Sequence, residues 1–265
     1  MTDVQLTPIG TSPAWYNPGE PGSGFLLEVD GARVLIDCGS GVISRYLALY
    51  GAQQPIDAIV LSHVHADHCF DLVPLKYGID YGQLGAWRPQ LWLPPGARER
   101  LTRLVSAWDE NFSYFTDTYD VHEYVPGTDF QVGSFSCAAL EVPHYIESCA
   151  LRFSYAGTSF GYSSDLGPCD TIAPFMRGVD LLLTEAAFSE SGDLSAAGRG
   201  HITATEAGRV AQQAGAHSLL LTHVPEELGF EAARAAASQS FTSGPVHVAH
   251  SGERYDVARR LAVVG

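Results

Sequence analysis

The sequence predicts a layered α/β fold in which two β-sheets pack together and helices cover their outer faces. Short apolar runs typical of strands occur in both halves of the chain, and helical segments follow the strands of each half. The chain has 265 residues, of which 46% are apolar and 17% are charged, so it can bury a large core. Because the sequence contains neither a repeat of fixed period nor a linker-like stretch, we expect one domain over residues 1–265.

Each predicted element follows from a local pattern. Short apolar runs bounded by turn residues predict strands at residues 4–9, 25–29, 33–37, 56–62, 91–93, 121–125, 134–142, 150–156, 159–163, 180–184, 218–222 and 246–249. Asp30-Gly31, between the second and third of these strands, is typical of a hairpin turn. Amphipathic segments predict helices at residues 42–50, 67–78, 97–108, 203–214 and 231–239. Thr203 followed by Glu206 predicts a capping box at the start of the fourth helix.

The charge balance argues against partners that carry many phosphates. The chain has 15 basic and 30 acidic residues, which gives a formal net charge of −15. Lys76 is the only lysine, and the arginines are scattered apart from Arg98, Arg100 and Arg103. Extended nucleic acid and anionic membranes are therefore poor partners. A small anionic substrate remains open, because bound divalent metals would offset the negative charge locally.

The sequence also indicates the cellular environment. Its N-terminus lacks the basic start and apolar core of a signal peptide, and no apolar run approaches the roughly 18–20 residues needed to span a bilayer. The five cysteines are odd in number and lack close-pair spacing, which excludes a disulfide framework and a zinc ribbon. We therefore expect a cytoplasmic protein.

The most informative motif is a histidine cluster directly after the apolar segment 56–62. His63, His65, Asp67 and His68 place three imidazoles and a carboxylate within six residues. At the chain's own composition, such a pattern arises by chance in about one chain in a thousand. His63 and His65 are two residues apart at a strand end, so their side chains point the same way. Imidazole nitrogens and carboxylate oxygens are ligands of divalent metals such as Zn²⁺, and the cluster therefore predicts a metal site.

Three further candidate ligands lie far from the cluster in sequence. His144, Asp165 and His223 each stand where an apolar predicted strand opens into a loop. Functional groups often occupy such loops, because the strands form a rigid scaffold behind them. Each of the three residues taken alone is more often an ordinary turn residue. Together with the histidine cluster, however, they indicate a larger metal site.

With these residues the chain resembles the metallo-β-lactamase superfamily of binuclear metallohydrolases over nearly its full length. The histidine cluster matches that family's defining motif, and its strand before the first helix is similar to Leu35-Ile36-Asp37-Cys38-Gly39. The resemblance implies a four-layer αββα sandwich that binds two divalent metal ions, with zinc favoured and manganese or iron left open. It also implies two ligand sets bridged by Asp165, namely His63, His65 and His144 for one metal and Asp67, His68 and His223 for the other.

Later motifs resemble the phosphodiesterase branch that contains tRNase Z and related cyclic-nucleotide phosphodiesterases. Glu185, in a Leu-Leu-Thr-Glu-Ala segment, and His201, in a Gly-His-Ile-Thr segment, match that branch. The long basic arm with which tRNase Z clamps tRNA would lie between the equivalents of His144 and Asp165, yet only 20 residues separate these two. With the acidity of the chain, this favours a phosphodiesterase of small nucleotides such as cyclic AMP.

Other functions remain open on the same scaffold. They are a tRNA 3′-processing endoribonuclease, a carbonyl hydrolase (lactonase, thioesterase or lactamase), and a non-catalytic binding scaffold that keeps its metals. The full set of matching ligands makes the last of these the least favoured. A homodimer would match the resembling enzymes.

The resemblance also implies catalytic roles. A metal-activated hydroxide oriented by Asp67 would attack phosphorus, and His201, oriented by Glu185, would protonate the leaving alkoxide. Thr203, at a helix N-terminus, would contact the substrate phosphate. The alternatives are a capping residue on a glycine-flanked loop for His201 and a buried carboxylate bonded to the helix at residues 203–214 for Glu185. We expect the aromatic residues between positions 77 and 115 to be mainly core, with one or two lining the pocket.

Overall fold

The computed structural model describes residues 3–192, 195 and 198–259, and it places their strands in two seven-stranded sheets. The first sheet contains, in spatial order, β14 (Tyr255–Asp256), β1 (Gln5–Gly10), β2 (Gly24–Val29), β3 (Ala32–Ile36), β4 (Ala58–Val60), β5 (Gln90–Leu93) and β6 (Asp120–Glu123). The second sheet contains β13 (Val246–Val248), β12 (Leu219–Thr222), β11 (Leu181–Glu185), β10 (Thr158–Tyr162), β9 (Ser148–Tyr155), β8 (Phe135–Val142) and β7 (Phe130–Val132). Each half of the chain therefore builds one sheet, apart from β14, which returns to the first.

Helices connect and cover these strands. The α-helices of the described residues are α1 (Val42–Tyr50), α2 (Ala66–Cys69), α3 (Leu72–Asp80), α4 (Ala97–Val105), α5 (Ile172–Phe175), α6 (Ala204–Ala214) and α7 (Phe230–Ser240). The predicted capping box begins α6, since Thr203 Oγ1 accepts the Glu206 N–H at 3.2 Å and the Thr203 N–H donates to the Glu206 carboxylate at 2.9 Å. In the described part of the chain, every helix is too short or too polar to cross a membrane.

The apolar core lies in three layers, one between the sheets and one under the helices on each outer face. Strand β2 shows how the sequence specifies these layers. Phe25 and Leu27 point between the sheets, while Leu26 points toward α1 and its neighbours, because successive side chains of a strand face opposite ways. Full burial of such a side chain contributes roughly 1.5–3 kcal/mol. The predicted αββα sandwich is therefore confirmed.

Parallel strands carry the loops of interest. Strands β3 to β6 run parallel to one another, as do β10 to β13. The carboxyl ends of parallel strands lie at the same edge of their sheet. The segments that follow β4, β8, β10 and β12 contain the predicted metal ligands, with Asp67 and His68 in the short helix α2, and β11 ends at Glu185. The two sheets bring these loops together at one edge of the sandwich.

The helix predicted at residues 67–78 is wrong, because the structure has two helices there, α2 and α3. The break falls at Phe70 and Asp71. The Asp71 N–H donates to the Cys38 carbonyl oxygen at 3.0 Å, and its carboxylate accepts the Ile43 N–H at 2.8 Å. These bonds tie the break to the end of β3 and the start of α1, so long-range contacts override the local helical pattern.

Other predicted boundaries differ by a few residues. The helix predicted at 97–108 ends at Val105, where the Trp108 N–H donates to the Val105 carbonyl oxygen in a turn. Strands β7 and β14 and helix α5 were not predicted. Each has four residues or fewer, which is too short for a periodic pattern to be recognised.

The only lysine of the chain is buried in α3. The Lys76 ammonium pairs with the Asp80 carboxylate, donates to Thr118 Oγ1 at 2.8 Å and lies 4.9 Å from the centre of the Tyr114 ring. Lysine is almost never fully buried without such partners, because removing its charge from water is costly. The cluster therefore joins α3 to the segment that precedes β6.

Candidate metal centre

The histidine cluster of the sequence lies in the turn after β4 and in the short helix α2. Close backbone packing fixes this turn. The Asp67 carbonyl oxygen accepts the Ser23 N–H at 2.8 Å, and a Cβ atom at Gly39 would lie 1.8 Å from the same oxygen. Only glycine therefore fits at position 39 without displacing the loop that carries Asp67.

Three histidines form the first group of candidate ligands. His65 Nδ1 lies 3.1 Å from His63 Nε2 and 3.1 Å from His144 Nε2. The ring of His65 is inclined by 83° to that of His63 and by 72° to that of His144, so the nitrogens converge while the rings do not stack. Three converging imidazole nitrogens form one side of a tetrahedral zinc site.

Two carboxylates and two histidines form the second group. The Oδ2 atom of Asp67 lies 3.2 Å from His68 Nε2 and 3.1 Å from His223 Nε2. The Oδ2 atom of Asp165 lies 3.4 and 3.5 Å from the same two nitrogens. It also lies 3.9 Å from Nε2 of His63 in the first group. The Asp165 carboxylate thus stands between the two groups, and the structure brings all seven predicted ligands together.

The chemistry of these atoms fits divalent cations. Within the described residues, His68 Nε2 and Asp165 Oδ1 are buried and lack a hydrogen-bond partner. An unsatisfied buried polar atom costs about 1–3 kcal/mol, so a protein rarely keeps several at one place without a ligand. Imidazole nitrogen with carboxylate oxygen is a donor set that zinc accepts. The residues present therefore fit a metal centre.

A buried aspartate orients one ligand from behind. The Asp37 carboxylate accepts four hydrogen bonds: from His68 Nδ1 at 2.8 Å, from the N–H and hydroxyl of Ser62 at 2.7 and 2.8 Å, and from the Tyr162 hydroxyl at 2.9 Å. The proton on His68 Nδ1 leaves Nε2 as the nitrogen with a free lone pair. Such outer partners orient the ligand ring and increase its basicity. The sequence motif contained Asp37, but this role was not predicted.

The backbone orients a second ligand in the same way. His144 Nδ1 lies 2.7 Å from the carbonyl oxygen of Gly200. A carbonyl oxygen only accepts hydrogen bonds, so we assign the proton to Nδ1. The unprotonated Nε2 then faces His65 of the same group. The loop that carries His201 therefore also holds His144 in place.

The electrostatics of the first group favour neutral ligands. Burial and the neighbouring histidines lower the pKa of His63 well below its ordinary value, and the same two causes lower the pKa values of His65 and His144. For Asp165, in contrast, a lowered pKa favours the charged form. Burial raises the pKa of Asp165, but His223 and His68 outweigh it and hold that pKa well below the usual range. Neutral imidazoles and an ionised carboxylate are the forms that bind metals.

Strained backbone occurs at three positions of the centre. Asp37, Ser164 and His223 have φ angles of 59°, 56° and 57°, a left-handed region that residues other than glycine seldom occupy. Each such residue costs of order 1–3 kcal/mol, and strain of this kind concentrates at functional sites. The conformation directs the Asp165 loop and the His223 ring into the centre.

Glu185 and His201 form a pair beside the metal ligands. The Glu185 carboxylate is fully buried and lies 3.0 and 3.1 Å from His201 Nδ1. Burial disfavours the charged imidazole, but the attraction of Glu185 outweighs burial and raises the pKa of His201 to about 9. The other contacts of Glu185 are with backbone N–H groups of Leu166 and Ala187, at 2.7 and 3.2 Å. None of these hydrogen bonds involves α6, so the alternative of a carboxylate bonded to that helix does not describe Glu185.

Thr203 lies at the N-terminus of α6 but is buried. Its hydroxyl oxygen and its backbone N–H are both engaged with Glu206 in the capping box. Glu206 also accepts a hydrogen bond from Arg199 at 2.5 Å, which fixes the loop between Arg199 and α6. A contact between Thr203 and the substrate phosphate stays a prediction. The hydroxyl hydrogen of Thr203 is the donor that remains available for it.

The structure adds an aromatic ring that sequence reasoning missed. The centre of the Tyr145 ring lies 5.1 Å from that of His144 and 5.8 Å from that of His201, and the residue is 62% exposed. Gly200 makes room for it, because a Cβ atom there would lie 2.6 Å from the Tyr145 ring. The available signal was its position directly after a ligand.

The predicted aromatic segment 77–115 lies mainly elsewhere. Its buried members are Trp87, Tyr114 and Phe115, its exposed members are Tyr77, Tyr81, Trp108 and Phe112, and Trp92 is partly buried. Among the described residues, no ring of this segment contacts a site histidine. The groups of described residues that could hold a metal all lie at the centre itself. The five cysteines are free, as expected from their spacing.

Comparison with known proteins gives a consistent result. A family model described as a beta-lactamase superfamily domain matches residues 32–224. Protein Rv1339 of Mycobacterium tuberculosis is 34% identical over 267 residues, covering 98% of this chain and 94% of the relative. The crystal structure of the metallo-β-lactamase fold protein YhfI from Bacillus subtilis superimposes with a TM-score of 0.82 at 29% identity, covering 96% of this chain and 99% of that chain.

A structure with a named RNA-processing activity shares the fold. The short form of human tRNase Z superimposes with a TM-score of 0.74 at 23% identity, covering 96% of this chain and 99% of that chain. At this level of identity the likeness concerns the architecture alone. The family match spans more than half of the sequence, and it includes all seven candidate ligands, with His223 next to its last residue. This chain therefore belongs to the metallo-β-lactamase superfamily and has tRNase Z-like relatives.

Proposed function

We propose that this chain is a binuclear metal-dependent phosphodiesterase that cleaves small nucleotide phosphodiesters such as cyclic AMP. The observation that carries the proposal is the position of His201. With His144 and Asp165 it forms a group whose ligand atoms lie within 4.8 Å of one another, while its Nδ1 atom contacts Glu185. Phosphodiester cleavage needs electrophilic stabilisation of the phosphate and a proton for the leaving alkoxide. Side chains suited to both tasks stand within reach of one phosphorus atom.

The donor set supports two divalent ions, with zinc as the first choice. When bound, these ions supply Lewis acidity toward the phosphate oxygens and a water molecule of near-neutral pKa. In the proposal, His63, His65 and His144 would hold one ion and Asp67, His68 and His223 the other, and the Asp165 carboxylate lies between the two groups.

The side chains of this protein handle the protons. A water oxygen forms a bond to phosphorus, and the bond between phosphorus and the leaving ribose oxygen breaks. Asp67 orients the water and accepts its proton, and its carboxylate lies at the centre, 3.2 Å from His68 Nε2 and 3.1 Å from His223 Nε2. His201 donates a proton to the leaving oxygen. Its Nδ1 faces Glu185, which leaves Nε2 to face the substrate.

The hairpin between His144 and Asp165 supports a small substrate. Strands β9 and β10 occupy most of these 20 residues and pair with each other across the Ala156-Gly157 turn. The clamping arm of the resembling tRNase Z would emerge from this part of the chain, where the present protein has two strands of its second sheet. A net charge of −15 also disfavours tRNA.

A substrate panel tests the proposal. The metal-loaded protein is incubated separately with bis-p-nitrophenyl phosphate, cyclic AMP, a chromogenic cephalosporin, a lactone and a precursor tRNA. We expect release of p-nitrophenol and AMP from the first two and no turnover of the others. The Asp165→Asn variant, of the same size, is the control for contaminating activities and should be inactive. Turnover of the carbonyl substrates alone, or cleavage of the tRNA in preference to cyclic AMP, would overturn the proposal.

A further inference from the structure

A surface groove lies between the metal centre and helix α4. It is lined by His65 from the centre, by Arg100, Arg103 and Leu104 from the helix, and by Phe70 and Ile146. We name this feature the α4 groove. Its volume is about 470 Å³, within the roughly 300–1,000 Å³ typical of small-molecule sites. The proposed reaction does not use these residues apart from His65.

The α4 groove carries two guanidinium groups in a strongly acidic chain. Arg100 and Arg103 are three residues apart in a helix, so they lie on the same face. Arg100 pairs with Glu147 and Arg103 with Glu99, and the two arginine side chains are 46% and 76% exposed. Ion pairs this exposed contribute only about 0–1 kcal/mol. A phosphate can therefore recruit both groups, since each guanidinium offers five N–H donors and binds phosphate through two of them.

The same groove carries an exposed aromatic ring. Phe70 is 43% exposed and directly follows α2, the helix that carries Asp67 and His68. Leu104 and Ile146 continue the apolar wall. A large apolar side chain held in solvent at the edge of a polar site is a natural surface for a flat ligand. Stacking of a nucleobase on such a ring contributes about 1–3 kcal/mol.

We propose that the α4 groove binds one nucleotide unit of the substrate, with its base against Phe70 and a second phosphate on Arg100 and Arg103. His65, a candidate ligand of the first metal group, lines the groove, and the proposal therefore places the scissile phosphate at the centre and the second phosphate of the same nucleoside in the groove. Substrates with such a unit, for example linear 5′-phosphorylated dinucleotides, are then bound more tightly than diesters that end at the scissile phosphate. This inference rests on the proposed phosphodiesterase function and narrows its substrate class.

Binding of two mononucleotides tests the assignment without relying on turnover. Adenosine 3′,5′-bisphosphate and adenosine 3′-monophosphate differ only in the second phosphate, and neither contains a diester. Titration calorimetry on the metal-loaded protein should show that the Arg100→Gln/Arg103→Gln double variant binds the bisphosphate at least tenfold more weakly. Its affinity for the monophosphate should stay within twofold of the wild-type value. A Phe70→Leu variant should bind both nucleotides at least threefold more weakly, while its affinity for inorganic phosphate should not change.

Arg98 provides a matched control on the same helix. It is also exposed, pairs with Glu123 and lines a different cavity, so Arg98→Gln should change neither affinity. The affinity for the bisphosphate should also fall with salt more steeply in the wild type than in the double variant. Equal losses for the two nucleotides in the double variant, or no loss for either, would overturn the assignment.

The same proteins separate this inference from the proposed function. If the wild type hydrolyses bis-p-nitrophenyl phosphate but the affinity for the bisphosphate does not depend on Arg100 and Arg103, the groove assignment alone is wrong. If the wild type hydrolyses no diester while the bisphosphate still depends on both arginines, the phosphodiesterase proposal is wrong and the groove remains a nucleotide site.

Discussion

Glu185 holds His201 through both of its carboxylate oxygens, at 3.0 and 3.1 Å from Nδ1, although the glutamate is fully buried and the histidine reaches the surface of the centre. The same carboxylate accepts the N–H of Leu166 at 2.7 Å, and Leu166 directly follows Asp165. One buried acid at the end of β11 therefore positions both the proposed proton donor and the loop of the shared ligand.

Removing the imidazole of His201 should affect substrates according to their leaving groups. General acid catalysis contributes about 10²- to 10⁴-fold, and only leaving groups that need a proton depend on it. We expect His201→Asn to lower kcat for cyclic AMP by about that factor and to lower kcat for bis-p-nitrophenyl phosphate less than about tenfold, because p-nitrophenolate leaves unprotonated. Glu185→Gln should follow the same pattern with a smaller loss. Equal losses on both substrates would show that His201 acts in some other way.

Replacing Asp37 should weaken metal binding although Asp37 does not face the metals. The Asp37→Asn change keeps the size of the side chain but replaces one accepting oxygen with an NH₂ group, so the four donors can no longer all be satisfied. We expect metal affinity to fall by about 10- to 100-fold, measured by competition with a chelating dye. Tyr162→Phe is the matched control, because it removes one of the four donors and leaves the His68 contact. It should keep its metal and lose about 1 kcal/mol of unfolding free energy. Full metal affinity in Asp37→Asn would contradict the orienting role.

Chelation should lower the thermal stability of the protein. A ligand present at 1,000 times its dissociation constant stabilises the native state by about 4 kcal/mol, which corresponds to a shift in Tm on the order of 10 °C. Scanning calorimetry with EDTA and with added zinc measures this shift, and elemental analysis gives the number of ions per chain. The Asp165→Asn variant should show a smaller shift, and the exposed Asp170→Asn variant the full one. An unchanged Tm would contradict a metal centre built from these residues.

Tyr145 should affect substrate binding more than folding. Its ring contacts those of His144 and His201 while most of its surface is exposed, so truncation removes little core packing. We expect Tyr145→Ala to raise KM at least about threefold, as expected when an exposed ring that stacks with substrate is lost. Metal content should not change. The exposed Tyr81→Ala variant is the control and should behave like the wild type. A loss of metal in Tyr145→Ala would instead assign the ring to supporting His144.

The convergence of the seven candidate ligands could be predicted from the sequence because their chemistry is specific. Packing alone rarely requires three imidazoles directly after a buried strand. The remaining candidate ligands lie at the ends of strands that can be recognised by their apolar runs. The two sheets could be predicted for the same reason, since strands buried on both faces contain continuous apolar runs. The capping box of Thr203 and Glu206 is a local motif, and it too was predicted.

Contacts between distant parts of the chain could not be predicted. Asp37 accepts hydrogen bonds from Ser62, 25 residues away, and from Tyr162, 125 residues away. The local sequence around these residues does not indicate that they are partners. The break between α2 and α3 depends on a hydrogen bond from Ile43, 28 residues upstream of Asp71. Tyr145 is similar, because its position depends on the absence of a side chain at Gly200, in another loop.

The enclosed lysine of α3 offers a single-site probe of motion next to the centre. Because Lys76 is the only lysine and its ammonium group is held by Asp80 and Thr118, an acylating reagent reaches it only when this helix opens. Mass spectrometry of one peptide then gives the labelling rate, which equals the opening rate when acylation is faster than reclosing. Since α3 follows the turn that carries Asp67 and His68, that rate reports how firmly a bound ion stiffens the neighbouring helix.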